Sequence, residues 1–292
     1  MKHLLLLLTI IAGVYPYNVN SQQSKTDMPD SLLNNAAIVT YINDINVDVE
    51  SPEKAQVKVH KLYSVINEEG KNALLFTEYS TKYKVLDYVE IKVYDSKGKQ
   101  LGKYKKSDMR TTSYGDGLVE DGYLTYFPIP SFSYPVTVDI TYSKKLKSSL
   151  TIPAYRFIAS KEAVLESSYT VTMPSNMTLR YKCNNINLNP AINDNGRYKS
   201  YSWAVKNIAP FEDEDGSVED GEKFPYINIV TDQFNYYGHS GDLSTWKALG
   251  NWVNDLYNGQ DELPSDRKAF FQNLVKDAPN DVDKIKRLYQ YL

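Results

Sequence analysis

One cysteine and three histidines in 292 residues leave little from which to build a metal centre or a crosslink. With Cys183 alone the chain forms no internal disulfide, and no Cys/His cluster marks a structural zinc site. Stability must therefore come from core size. Basic clusters are also missing, and the net charge is -3, so there is no electrostatic footprint for nucleic acid. Beyond the first residues no apolar run is long enough for a membrane-spanning helix. A glycine-rich phosphate loop, a nucleophile elbow and an HExxH helix are all absent. Tryptophan (3) and phenylalanine (9) are sparse, but tyrosine is not: there are 25. Tyrosine suits strands and half-exposed sheet faces, which predicts a sheet-rich fold; an aromatic platform for carbohydrate is the competing reading. A hydrophobic content of 42% argues against disorder, and the length suffices for one large domain or two ordinary ones.

The N-terminus reads as a signal peptide. Met1-Lys2-His3 is a short positive region, and Leu4 to Val14 is apolar apart from Thr9, too short to span a bilayer. Val19 and Ser21 suit the positions before a cut between Ser21 and Gln22, and no cysteine lies nearby for a lipid anchor. These features predict export to the periplasm or beyond the cell, without membrane insertion. Residues 22–35 are polar and predicted to be a mobile leader.

Period-two alternation then begins. Val39, Tyr41, Ile45, Val47 and Val49 fall on one side, with Thr40, Asp44, Asn46 and Asp48 on the other. The pattern recurs at Val57 and Val59, at Val85, Val89, Ile91 and Val93, and at Val136, Val138, Ile140 and Tyr142. It appears again at Tyr169, Val171 and Met173, at Met177, Leu179, Tyr181 and Cys183, and at Tyr201, Trp203 and Val205. Many short alternating strands between turn residues predict a mainly β fold, an antiparallel immunoglobulin-like β-sandwich over residues 36–238, with any division into two lobes near 150–162. After Gly241 the period becomes helical. Trp246, Leu249, Trp252, Val253 and Leu256 share a face, with Ser244 the expected N-cap; Pro264-Ser265 and Asn280 open two more helices. Residues 239–292 thus form a short C-terminal helical segment whose apolar stripes need a covering surface.

The candidates for chemistry are few. Cys183, His239 and Asp242 could supply a nucleophile, a base and an orienting carboxylate. Cys183 shares its strand's apolar side with Met177 and Leu179, however, which points to a small core residue. His60 lies on the more polar side of its strand. From Glu212 to Glu222, seven of eleven residues are acidic, and Asp213, Asp215, Glu219 and Asp220 next to glycines are the candidate ligands for calcium. The spacing departs from the helix-loop-helix calcium pattern, and a solvated acidic loop is the alternative. No other cofactor is indicated. Tyr236 and Tyr237 are candidate ligand-binding residues, because aromatic rings can stack on sugar faces.

Four motifs carry a family resemblance. Ser64-Val65-Ile66-Asn67-Glu68-Glu69-Gly70 is similar to the "ILNEEG" corner of a domain of unknown function that precedes transglutaminase-like domains in exported bacterial proteins. Val89-Glu90-Ile91-Lys92-Val93-Tyr94-Asp95-Ser96-Lys97-Gly98-Lys99, Ser168-Tyr169-Thr170-Val171-Thr172-Met173-Pro174 and Tyr201-Ser202-Trp203-Ala204-Val205-Lys206-Asn207-Ile208 follow in the family's order. The segment Trp246-Lys247-Ala248-Leu249-Gly250-Asn251-Trp252 resembles the opening helices of the transglutaminase-like domain itself. The resemblance implies a β-sandwich followed by the first helices of a papain-like cysteine fold. The family's catalytic Cys, His and Asp would lie beyond these helices, so no catalytic residue is assigned here. The expected function is a non-catalytic exported module that supports a downstream transglutaminase-like cysteine protease or transamidase in cis, or presents its substrate. The expected ligands are polypeptide or glycan, and a glycan- or protein-binding module using exposed tyrosines is the alternative.

Overall fold

A computed structural model describes residues 30–114, 122–131, 133–211, 216, 224–260 and 262–292. Its centre is an eight-stranded sheet. The strands are β1 (Ile38–Ser51), β2 (Lys54–Val65), β4 (Lys84–Tyr94), β5 (Gln100–Lys105), β8 (Val136–Leu146), β10 (Glu162–Pro174), β12 (Ala191–Asp194) and β13 (Tyr198–Ile208). They lie in the order β12-β13-β10-β1-β2-β8-β4-β5. Two three-stranded sheets accompany it. One is β3 (Leu75–Ser80), β7 (Gly122–Pro128) and β6 (Arg110–Tyr114); the other is β11 (Leu179–Asn184), β14 (Tyr226–Thr231) and β9 (Tyr155–Arg156). The chain is mainly β with open sheets, as its alternation implies.

The main sheet departs from the purely antiparallel pairing expected of it. β1 and β10 run parallel, Val47 opposite Val171, at the middle of the main sheet. A parallel pair needs a long crossover, and the strands between β2 and β10 provide it. Both small sheets cover the same face of the large one. Val57 and Val59 of β2 belong to the core shared with Tyr155, Leu179 and Ile227; Tyr63 and Val65 of the same strand belong to a second core shared with Phe76. All four β2 residues have the same parity and so point to one side. The opposite face is polar around His60, whose Nε2 lies 2.9 Å from Asp139 Oδ1.

The alternation in β1 misplaces one stretch. A register shift between Thr40 and Ile42 carries the strand through a bulge, and an extra residue reverses which side chains face inward. Val39 and Tyr41 consequently pack with Leu32, Ala36 and Ala163 on the outer face, not with Val47. Thr40, expected on the wet side, is fully buried. Leu32, in the helical turn α1 (Asp30–Leu33), is also buried, inside the segment expected to be a leader.

After the hairpin of β15 (Gln233–Tyr236) and β16 (His239–Asp242) come α2 (Trp246–Tyr257), α3 (Ser265–Val275) and α4 (Asp281–Tyr291). Thr245, rather than Ser244, caps α2 by accepting from Ala248 N at 3.0 Å; Asn280 caps α4 by accepting from Asp283 N. None of the three helices has a buried residue. Among the described residues no helix is long and apolar enough to cross a membrane.

Candidate functional site

The two small sheets leave a seam between them. Tyr142 of β8 packs against both cores, and beside it a cleft of about 830 Å3 opens over β1, β2 and β8. Its floor carries charges where the strand pattern calls for apolar residues. The inward series of β2 is Val57, Val59, Lys61, Tyr63, Val65; that of β8 is Ile140, Tyr142, Lys144, Leu146. Each inward lysine meets a sequestered carboxylate. Lys61 Nζ is 2.8 Å from Glu162 Oε1, which also accepts from the buried Thr40 hydroxyl at 2.5 Å. Lys144 Nζ lies 3.0 Å from Glu78 Oε1, both side chains being about one-tenth exposed. Unpaired, such charges would be expelled to water or neutralised; paired, they tolerate burial.

The surroundings shift neighbouring groups. Burial, followed by the Glu162 charge, pushes the Tyr63 phenol far up, and its hydroxyl donates to Ala73 O at 2.7 Å. Burial and the Glu78 carboxylate do the same to Tyr142. Burial and the Lys144 charge pull the Lys84 ammonium down. The walls come from the 3-10 turn Glu68–Leu74 and from the segment joining β9 to β10, and Lys161 Nζ bridges them to Glu69 at 2.8 Å. Gly70 lets the turn approach: a Cβ there would stand 2.5 Å from Ala37 O. Arg156 lies at the rim, its guanidinium stacked 4.3 Å from the ring centroid of Tyr226. The arrangement can bind and orient a ligand. Among the described residues it holds no nucleophile paired with a base, and no three His, Cys, Asp or Glu side chains converge as metal ligands.

The residues singled out from sequence lie elsewhere. Asp213, Asp215, Glu219 and Asp220 fall outside the described residues. Cys183 is half-buried at the edge of the larger core, and its thiol donates to Leu188 O at 3.3 Å. His239 pairs across its hairpin with Tyr236. Asp242 accepts from Ser244 N, and the hydrogen bonds from Ser244 hold its carboxyl below the usual range. Among the described residues no hydrogen bond or ion pair joins these three. Tyr236 and Tyr237 stand at the tip of the β15–β16 hairpin, and Tyr83 from the β3–β4 turn packs on Tyr237 with centroids 3.9 Å apart. Burial and the Tyr237 hydroxyl push the Tyr236 phenol up to about 12. Lys82 lies over both Tyr83 and Tyr237. Sequence reading missed Tyr83 and the cleft alike. The signals for the cleft were the lysines in the inward registers of β2 and β8.

Residues 52–212, more than half of the chain, match a domain of unknown function that has a solved structure, DUF3857. The chain belongs to the DUF3857 family. No curated protein matches its sequence. Among solved structures, this DUF3857 chain is similar to a candidate protease from Parabacteroides distasonis ATCC 8503, with a TM-score of 0.64 and 11% identity. That likeness covers 87% of this chain and 50% of the other, so the chain spans half the length of its structural relative. An M1 zinc metallopeptidase from Deinococcus radiodurans reaches a TM-score of only 0.34 at 8% identity, covering 82% of this chain and 53% of that one. At 11% identity the first likeness concerns the fold alone.

Proposed function

We propose that this chain is a non-catalytic, exported β-rich module that works beside a transglutaminase-like cysteine protease or transamidase domain in cis, supporting that domain or presenting polypeptide to it. The observation that carries the reading is the helical segment. Trp246 is 89% exposed, Ile285 65% and Tyr289 78%, on helices that bury no residue of their own. Amphipathic helices draw their stability from packing an apolar face, so these faces call for a folded partner. The resemblance of the Trp246–Trp252 motif to the opening helices of a transglutaminase-like domain supports the chemistry proposed for that partner. The deciding observation is the reading frame downstream of codon 292. Continuation through Cys, His and Asp in transglutaminase order supports the proposal; a stop codon directly after Leu292 overturns it.

The tyrosine cluster favours a second reading, a glycan- or protein-binding surface. Tyr237 holds a backbone φ of 57°, a region costly for a bulky residue, and keeps its ring nearly half exposed. Affinity electrophoresis in soluble oligosaccharide should show retardation that Tyr237→Ala removes. Equal mobility of the two proteins would dispose of it.

A further inference from the structure

We propose that the seam cleft binds an extended polypeptide, adding it to the edge of β3 and holding a carboxylate of that polypeptide on Arg156. Three observations converge. First, β3 is an edge strand among the described residues, paired only with β7. Leu75, Phe76, Thr77 and Glu78 all line the cleft. Side chains of a strand alternate between faces, so a cleft touched by four consecutive residues is bordered by the strand's edge, where backbone N–H and C=O groups are free to pair. Strand addition to such an edge is a general mode of peptide recognition.

Second, the charges of the cleft select the ligand. Of the lining residues, Lys61 and Lys161 are matched by Glu162 and Glu69, and Glu78 is matched by Lys144 beside the cleft. Arg156 has no carboxylate among the described residues and is fixed by stacking on Tyr226. A stacked guanidinium keeps its donor fork pre-oriented for a bidentate carboxylate. A phosphate dianion suits the cleft less well, since among the described residues a single cation without a carboxylate partner would face it beside the carboxylates of Glu78 and Glu162. Third, the rest of the lining suits a main chain with small side chains. Ile45, Val59 and Ile140 offer apolar contact, and Asn72 and Thr77 offer amide and hydroxyl groups.

This site stands without the helical-docking reading, because it uses only the β part of the chain. The test is titration of the protein with tetra-alanine as the free acid, as its C-terminal amide, and with an amidated tetrapeptide carrying one glutamate. Saturable binding is expected of the free acid or of the glutamate peptide, and which one binds identifies the source of the carboxylate. The fully amidated tetra-alanine should bind at least tenfold more weakly. Arg156→Met, a substitution at an exposed position that is expected to keep the thermal midpoint, should lose tenfold or more in affinity, and Arg156→Lys should not restore it. Bound peptide should slow hydrogen exchange at the amides of residues 75–80. Binding of the amidated tetra-alanine as tight as that of both carboxylate-bearing peptides, an unaffected Arg156→Met variant, or exchange at β3 that ignores the peptide would each overturn the proposal.

Discussion

Gly70 and Lys144 show what single side chains contribute to the seam. At Gly70 a methyl group would meet Ala37 O at 2.5 Å and Val65 Cγ1 at 3.0 Å, a backbone atom and a packed core residue. Neither can yield freely. Overpacking of this kind costs about 1–3 kcal/mol, so Gly70→Ala should lower the thermal midpoint by several degrees in calorimetry; an unchanged midpoint would mean that the Glu68–Leu74 turn shifts at no cost. At the Lys144–Glu78 pair the asymmetry of buried charge applies. Lys144→Met strands a carboxylate and should cost about 3–5 kcal/mol, whereas Lys144→Met combined with Glu78→Leu should return to wild-type stability or exceed it. Urea midpoints decide: a single variant as stable as wild type would show that water already reaches the pair. Cys183, with its thiol tied to the Leu188 carbonyl, should react with a thiol reagent much faster in denaturant than in the native protein, and rapid native labelling would reopen a nucleophilic role.

Elements were legible where a local rule sets them and illegible where distant strands do. Asn67 caps its turn by accepting from Glu69 N, and Asn280 caps α4; both follow from sequence neighbours. The strands themselves follow from period two. The bulge at Tyr41 does not, because it arises in the pairing of β1 with β2, and it alone decides that Thr40 and Asn43 face the seam while Val39 does not. Lys61 and Glu162 are 101 residues apart, so no spacing in the sequence announces their pairing or the cleft beside it. The same locality makes the helices readable and weak. α3 and α4 meet through Phe270, Phe271 and Tyr291, with ring centroids 5.1 to 5.5 Å apart, and nothing on them is buried. Segments with few buried contacts open first. Limited proteolysis should therefore cut between about Gly238 and Asn280 and leave a stable β-rich fragment; a resistant fragment running to Leu292 would mean that the helices dock fully on the sheets.

At the scale of the whole molecule, the question is whether sheets and helices unfold as one unit. The three tryptophans report on it separately. Trp203 is buried among the rings of Tyr169, Tyr181 and Tyr201. Trp252 leans on Phe234 at 5.0 Å, the ring contact between α2 and the β15–β16 hairpin, and Trp246 stands in solvent. Apolar burial contributes about 25 cal/mol per Å2, and among the described residues most of the buried apolar side chains lie in the two sheet cores, which the helices do not enter. The helices should therefore melt at lower urea than the sheets. In Trp246→Phe the remaining emission comes from Trp203 and Trp252, and two transitions are expected. In Trp246→Phe combined with Trp252→Phe only Trp203 reports, and the earlier transition should vanish while the later one keeps its midpoint, because both substitutions leave the sheet cores untouched. A single transition at the same urea in both variants would make sheets and helices one cooperative body. The apolar helix faces would then need no partner to be stable, and the proposal of a domain working beside this one would lose the observation that carries it.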